Sequence, residues 1–190
     1  IHSQYSICEG AVKIDDLQDF SKVNKLKSLG LCDTSNLCGA LEFAEKISKV
    51  GTQPIIGTQI NFKYGDCIGL LPLFALNEEG YKRIIKLSSI SFLENDELSD
   101  PHVDFKDLLD DNTGVAVFSG TIFGLFGELY NKGKFSDILD LYKKLKLNFG
   151  DRFYIEIQRH NDQNESGFEK FNLNKSLELE IPIIATNEVF

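Results

Sequence analysis

The chain has 190 residues, 42% of them apolar and 26% charged, and a net charge of −9. That balance suits one soluble globular domain with a sizeable core. No apolar run approaches the ~20 residues of a membrane span, no signal peptide opens the chain, and the basic residues mix with acids, so neither a membrane partner nor tight nucleic-acid binding by this piece is expected.

In chain order, residues 27–32 predict a strand, and residues 41–50 a helix with Leu41, Ala44, Ile47 and Ser48 along one side. Residues 54–62 and 68–75 predict two strands separated by a turn at Lys63-Tyr64-Gly65-Asp66. Residues 81–91 predict a helix with Tyr81, Ile84, Ile85 and Ser88 on one stripe. Residues 95–106, acidic and carrying Ser99-Asp100-Pro101, read as a mobile loop. A buried strand is expected at 115–118. The clearest helix is 135–149, where Phe135, Ile138, Leu139, Tyr142 and Leu145 follow the 3.6-residue period. Its Lys143-Lys144-Leu145-Lys146 cluster reads as a solvated face. A strand at 153–158, a helix at 168–179 and a strand at 181–185 complete the pattern. Strands alternating with helices argue for an α/β domain with a mainly parallel sheet or barrel, covering residues 1–190 as one unit.

Three features bear on chemistry. The stretch from Leu31 to Phe43 reads as a strand, its C-terminal tip and a helix start, where α/β folds place their sites. Asp33 is there either a ligand or, as the simpler reading, the cap of the following helix, since Asp33, Thr34, Ser35 and Asn36 are all good cap types. The glycines in Ser119-Gly120-Thr121-Ile122-Phe123-Gly124-Leu125-Phe126-Gly127 match neither a dinucleotide fingerprint nor a P-loop, and read as tight backbone packing around the phenylalanines; Ser119 has no nucleophile context. Glu156 and His160 either face a pocket or, as the simpler reading, are the polar side of a strand and a loop residue. Cys8, Cys32, Cys38 and Cys67 show no C-x-x-C spacing, so they support neither a zinc site nor a redox pair and fit a reducing, cytoplasmic setting; Cys32 reads as a buried hydrophobe. Fifteen Phe and six Tyr are enough to furnish a docking surface besides a core.

Several of these segments resemble the PHP (polymerase and histidinol phosphatase) family, in the branch found at the N-terminus of bacterial DNA polymerase III alpha subunits. They are Asp33-Thr34-Ser35-Asn36-Leu37-Cys38-Gly39-Ala40-Leu41-Glu42-Phe43, the opening His2-Ser3-Gln4-Tyr5-Ser6 with Glu9-Gly10-Ala11, Gln53-Pro54-Ile55-Ile56-Gly57, and Ala75-Leu76-Asn77-Glu78-Glu79-Gly80-Tyr81. The closing strands, from Asp151 to His160 and from Ile184 to Val189, match in the same order. The resemblance implies a distorted βα barrel of PHP type, in which a cleft at the strand ends holds metal ions that activate water for phosphoester or pyrophosphate hydrolysis.

Carried over residue by residue, the ligand pattern is broken. His2 matches the second of two opening histidines, the first falling before Ile1. Glu9 stands for an aspartate and Asp33 matches. Thr34, Gln59, Leu70, Thr121 and Phe190 occupy positions of ligands, and Glu188 stands for the closing aspartate. Only His2, Glu9, Asp33 and Glu188 remain as candidate ligands, enough at most for one weakly held Mg²⁺ or Mn²⁺, so no resident cofactor is expected and the site reads as vestigial.

The resemblance then implies the N-terminal domain of a longer polymerase chain, in keeping with the start at Ile1 without Met. Its role would be scaffold and docking module, packed on the polymerase core of the same chain and holding the proofreading exonuclease subunit. DNA synthesis would belong to the parent chain, with no catalytic residue in this piece. The alternative is a residual metal-dependent phosphoesterase or pyrophosphatase; a free-standing histidinol-phosphatase-like enzyme is a distant third.

Overall fold

The computed structural model describes residues 1–95 and 99–190. Helix α1 (Ile14–Asn24) precedes strand β1 (Ser28–Thr34), helix α2 (Ala40–Lys49), and strands β2 (Gln53–Tyr64) and β3 (Cys67–Ala75). Helix α3 (Glu78–Leu93), the short β4 (Val103–Asp104) and α4 (Phe105–Asp110), and strand β5 (Val115–Phe118) follow. The chain then runs through α5 (Leu125–Asn131), α6 (Phe135–Phe149), a 3₁₀ turn at Gly150–Arg152, β6 (Phe153–Ile157), α7 (Glu165–Leu179) and β7 (Ile183–Ala185).

The strands form one curled sheet in the order β1-β2-β3-β5-β6-β7, with β4 beside β2. The pairs β1/β2, β2/β4, β5/β6 and β6/β7 are parallel, whereas β2/β3 and β3/β5 are antiparallel. The sheet is therefore mixed. The inversion follows from the connection: Tyr64 faces Cys67 across a two-residue turn whose Gly65 has φ +61°, and so short a link joins only antiparallel strands. Pro72 sits in the middle of β3, where a missing N–H would normally break a ladder. The β3/β5 ladder begins only at Leu73, so Pro72 lies beyond it.

The first residues draw the two outer strands together. Ile1 accepts from Cys32 N at 2.9 Å and His2 N donates to Val189 O at 2.8 Å, so the chain start lies between β1 and the segment after β7. The result is a barrel wall with helices outside. One core cluster joins α3–α7 to the sheet, centred on Phe62, Leu71, Val117, Phe126, Tyr142 and Phe153. A smaller one joins α1, α2 and β1 through Ile14, Leu17, Leu31, Phe43 and Ile47.

Several expectations need correction. Residues 95–106 do not form one loop: β4 and α4 begin there, because Val103, Phe105 and Leu108 are buried. Residues 96–98 of that span lie outside the described residues. The buried side of α2 is Ala40, Phe43 and Ile47, with Leu41 exposed; that of α3 includes Ile84 and Leu87, with Ile85 turned out. Helices α1 and α5 were not anticipated. The glycine run packs as expected. A Cβ on Gly124 would lie 2.7 Å from Leu70 O, and one on Gly69 would lie 2.4 Å from Leu125 N, so β3 and the start of α5 approach to a distance only glycine allows.

Candidate functional site

A cleft of about 210 Å³ opens at the barrel mouth, lined among others by His2, Cys32, Gln59, Leu70, Thr121, Glu156 and Glu188. His2 is buried there. Its Nε2 lies 3.2 Å from Glu188 Oε1 and its ring stacks on Phe190 at 4.7 Å, 14° from parallel. The imidazole beside it holds the Glu188 carboxyl below the usual carboxylate range. His160, on the loop after β6, places Nε2 2.7 Å from Gln158 Oε1 and 3.7 Å from Glu188 Oε2.

Asp33, at the end of β1, is 1% exposed. Its Oδ1 accepts from Ser3 N at 2.6 Å and from Ser6 Oγ at 2.9 Å, and its Oδ2 from Ser3 Oγ at 2.9 Å. Ser6 Oγ in turn accepts from Thr34 N at 3.1 Å. The cap reading is thereby overturned: the residue before α2 is Gly39, with no side-chain cap, and Asp33 instead pins the opening segment to β1. Asn36 shapes the intervening turn, donating to Tyr5 O and Thr34 O and accepting from Cys38 N.

Thr34 links two residues of the candidate site. Its hydroxyl donates to Glu9 Oε2 at 2.6 Å and accepts from Gln59 Nε2 at 2.9 Å. Glu9 itself is exposed. The four sequence candidates are thus divided: His2 and Glu188 meet, Asp33 is enclosed by serines, and Glu9 belongs to the threonine–glutamine chain. Among the described residues no three His, Cys, Asp or Glu side chains converge in a way that holds a metal ion.

For Glu156 the pocket reading holds and the simpler strand-face reading fails. The residue lies in the wall of the cleft at 4% exposure rather than on a solvated strand face. Its Oε1 accepts from Thr186 Oγ1 and, at 3.1 Å, from Gln158 Nε2, while Oε2 has no hydrogen-bond partner. The signal was faint, because β6 is covered on both sides: Phe153 and Ile155 face the helices, leaving no alternation of wet and dry. Ser119 is structural, accepting from Glu156 N at 2.9 Å. Cys32 and Cys67 are buried, Cys8 and Cys38 exposed, and all four are free thiols; burial pushes the Cys32 thiol up.

Burial also raises the Glu156 carboxyl above its ordinary value. A carboxyl whose folded pKa exceeds its unfolded one opposes folding while ionised. That cost shrinks as pH falls through the folded value and is gone below about 4.3. Glu156→Gln is therefore expected to be more stable than wild type at pH 7.5, with the gap closing on acidification. Urea denaturation at stepped pH measures it; a gap that widens toward low pH would contradict the assignment.

The PHP domain model matches residues 1–160. The chain belongs to the PHP domain family. Among curated proteins it is similar to DNA polymerase III subunit alpha of Rickettsia felis, 37% identical over 188 residues, which is 98% of this chain and 16% of the relative. The corresponding subunit of Caulobacter vibrioides is 32% identical over 203 residues, covering this whole chain and 17% of the relative. This PHP domain therefore spans about a sixth of the relatives it matches. Among solved structures it is similar to a protein described as a metal-dependent phosphoesterase from Bifidobacterium adolescentis, with a TM-score of 0.58 and 12% identity over 93% of this chain and 82% of the other. That likeness concerns the fold, and supports the distorted βα barrel. No helix among the described residues is long and apolar enough to cross a membrane.

Proposed function

We propose that this PHP domain is the N-terminal part of a replicative DNA polymerase III alpha subunit, acting as scaffold and docking module rather than as an enzyme. It would pack against the polymerase core of its own chain, hold the proofreading exonuclease subunit and work in the cytoplasm. The alignment with alpha subunits over 98–100% of the chain supports the parentage. The observation that carries the loss of chemistry is Thr34. Where the family places a ligand, its hydroxyl bridges Glu9 and Gln59.

The residues present do not fit the family's metal cluster. Both Asp33 oxygens are committed to three donors. Leu70 and Phe190 offer hydrocarbon where imidazoles are needed, and a multinuclear site has too few charges left to offset ion dehydration. A hydrogen-bonded network of Asp33, Ser3, Ser6, Thr34, Glu9 and Gln59 stands in its place.

The docking role is tested by co-purification of the full-length polymerase chain, with and without residues 1–190, with the proofreading subunit. Retention that depends on the domain is the expected result; equal retention without it would remove the docking role. The alternative, a residual Mg²⁺- or Mn²⁺-dependent phosphoesterase or pyrophosphatase, draws on the fold likeness and needs His2, Glu9, Asp33 and Glu188 on one ion. Pyrophosphate release that requires these metals and is lost in Glu188→Gln, which leaves the Asp33 hydrogen bonds in place, would favour it.

A further inference from the structure

We propose that the cleft has become a receptor for an alkyl cation: a primary ammonium or a guanidinium on a short aliphatic chain. The inference rests on the reading that the metal cluster is lost, and assigns the space a different ligand. The cleft measures about 210 Å³, on the order of seven waters at roughly 30 Å³ each. Leu70, Pro72, Phe74 and Phe123 give it an apolar side that suits methylenes, opposite polar residues that include Gln158, Thr186 and Glu156.

Glu156 lines the same space. A buried carboxylate oxygen without a donor is costly, and Glu156 Oε2 is such an atom. An N–H of a charged ligand would satisfy it with a charge-assisted bond, stronger than a neutral one. Glu188 supplies a second carboxylate at half-buried depth. The basic side chains facing Glu188 are His2, with Nε2 at 3.2 Å, and His160, with Nε2 at 3.7 Å. At the mouth Phe123 is 63% exposed and offers an aromatic face to an entering cation. Hydrocarbon at Leu70, a ligand position in the family pattern, removes a metal donor and adds a surface that grips an alkyl stem. One change thus disfavours the old ligand and favours the new one.

Isothermal titration of the 190-residue chain with n-butylguanidinium and n-butylammonium chloride tests this, with MnCl₂ run in parallel. Saturable one-site binding of at least one cation is expected, weakened roughly tenfold or more in Glu156→Gln. Phe123→Ala, at an exposed position that does not threaten folding, is expected to weaken it less, and Glu79→Gln, far from the cleft, to leave it unchanged. N-acetyl-arginine N-methylamide separates the sources. Binding equal to that of butylguanidinium points to an arginine presented by a protein segment; exclusion points to a free small amine. No saturable binding of either butyl cation, or binding indifferent to Glu156→Gln, would overturn the inference. If Mn²⁺ also fails to bind, the reading of a lost metal site stands and only the cation assignment falls; tight Mn²⁺ binding in the cleft would overturn both.

Discussion

Asp33→Ala is expected to destabilise the domain by about 4 kcal/mol. The estimate follows from what the carboxylate holds: three donors from Ser3 and Ser6 at 2.6–2.9 Å, in a site 1% exposed. Leaving buried donors unpaired costs roughly 1–3 kcal/mol each before relaxation, more when the lost partner is charged. The effect should reach beyond β1, because Ser3 and Ser6 fix the opening segment that meets Val189 and Cys32. Asp33→Asn keeps the shape and one acceptor oxygen, and should cost about half as much. Urea denaturation at pH 7.5 gives both values. Were Asp33 only a helix cap, its loss would cost about 1 kcal/mol, so a small effect would refute the clamp.

Phe126→Ala should cost about 4 kcal/mol, the range for removing a fully enclosed aromatic ring. Phe126 has no exposed surface, and its ring centre lies 4.6 Å from that of Tyr142, itself buried and donating to Asn172 Oδ1 at 2.9 Å. Truncation opens a void between α5 and α6 and removes the ring that packs on Tyr142. Phe123→Ala, three residues earlier and largely exposed, should stay within about 0.5 kcal/mol. Equal losses at the two positions, read from denaturation midpoints, would show that the core is not centred where the structure places it.

The contrast between these neighbours shows where the sequence could be read. The alternation of strands and helices, the turn at Gly65 and the Asp33–Phe43 junction were legible because each rests on local pattern. Helix α5 was hidden among three glycines, of which Gly120 and Gly124 make way for Leu70 of β3, distant in sequence, and Gly127 for the backbone of Ile122. Helix α1 carries its apolar positions among Asp15, Asp16, Gln18 and Asp19, which dilute the stripe. On α2 the periodicity was right but turned toward Leu41, because Phe43 and Leu41 are equally apolar and only packing against α1 and the sheet decides between them.

The site followed the same rule. The identities at Thr34, Gln59, Leu70 and Phe190 told against a metal cluster from the sequence alone. The partners of Asp33 did not appear there, being serines about thirty positions away. For Glu156 the preferred reading failed because a strand covered on both sides carries no polar-face signal. The hydrogen-bonded network around Asp33 and the apolar side of the cleft at Leu70, Pro72, Phe74 and Phe123 needed three dimensions to be seen.

The central claim is that this network, and not a metal cluster, holds the barrel mouth. Elemental analysis of the purified chain, paired with its thermal midpoint before and after exhaustive EDTA treatment, tests it most directly. The account predicts zinc, manganese and iron well below one equivalent per chain and an unchanged midpoint. Two or more equivalents of a transition metal, with a midpoint that drops on chelation and recovers when the metal is restored, would contradict it.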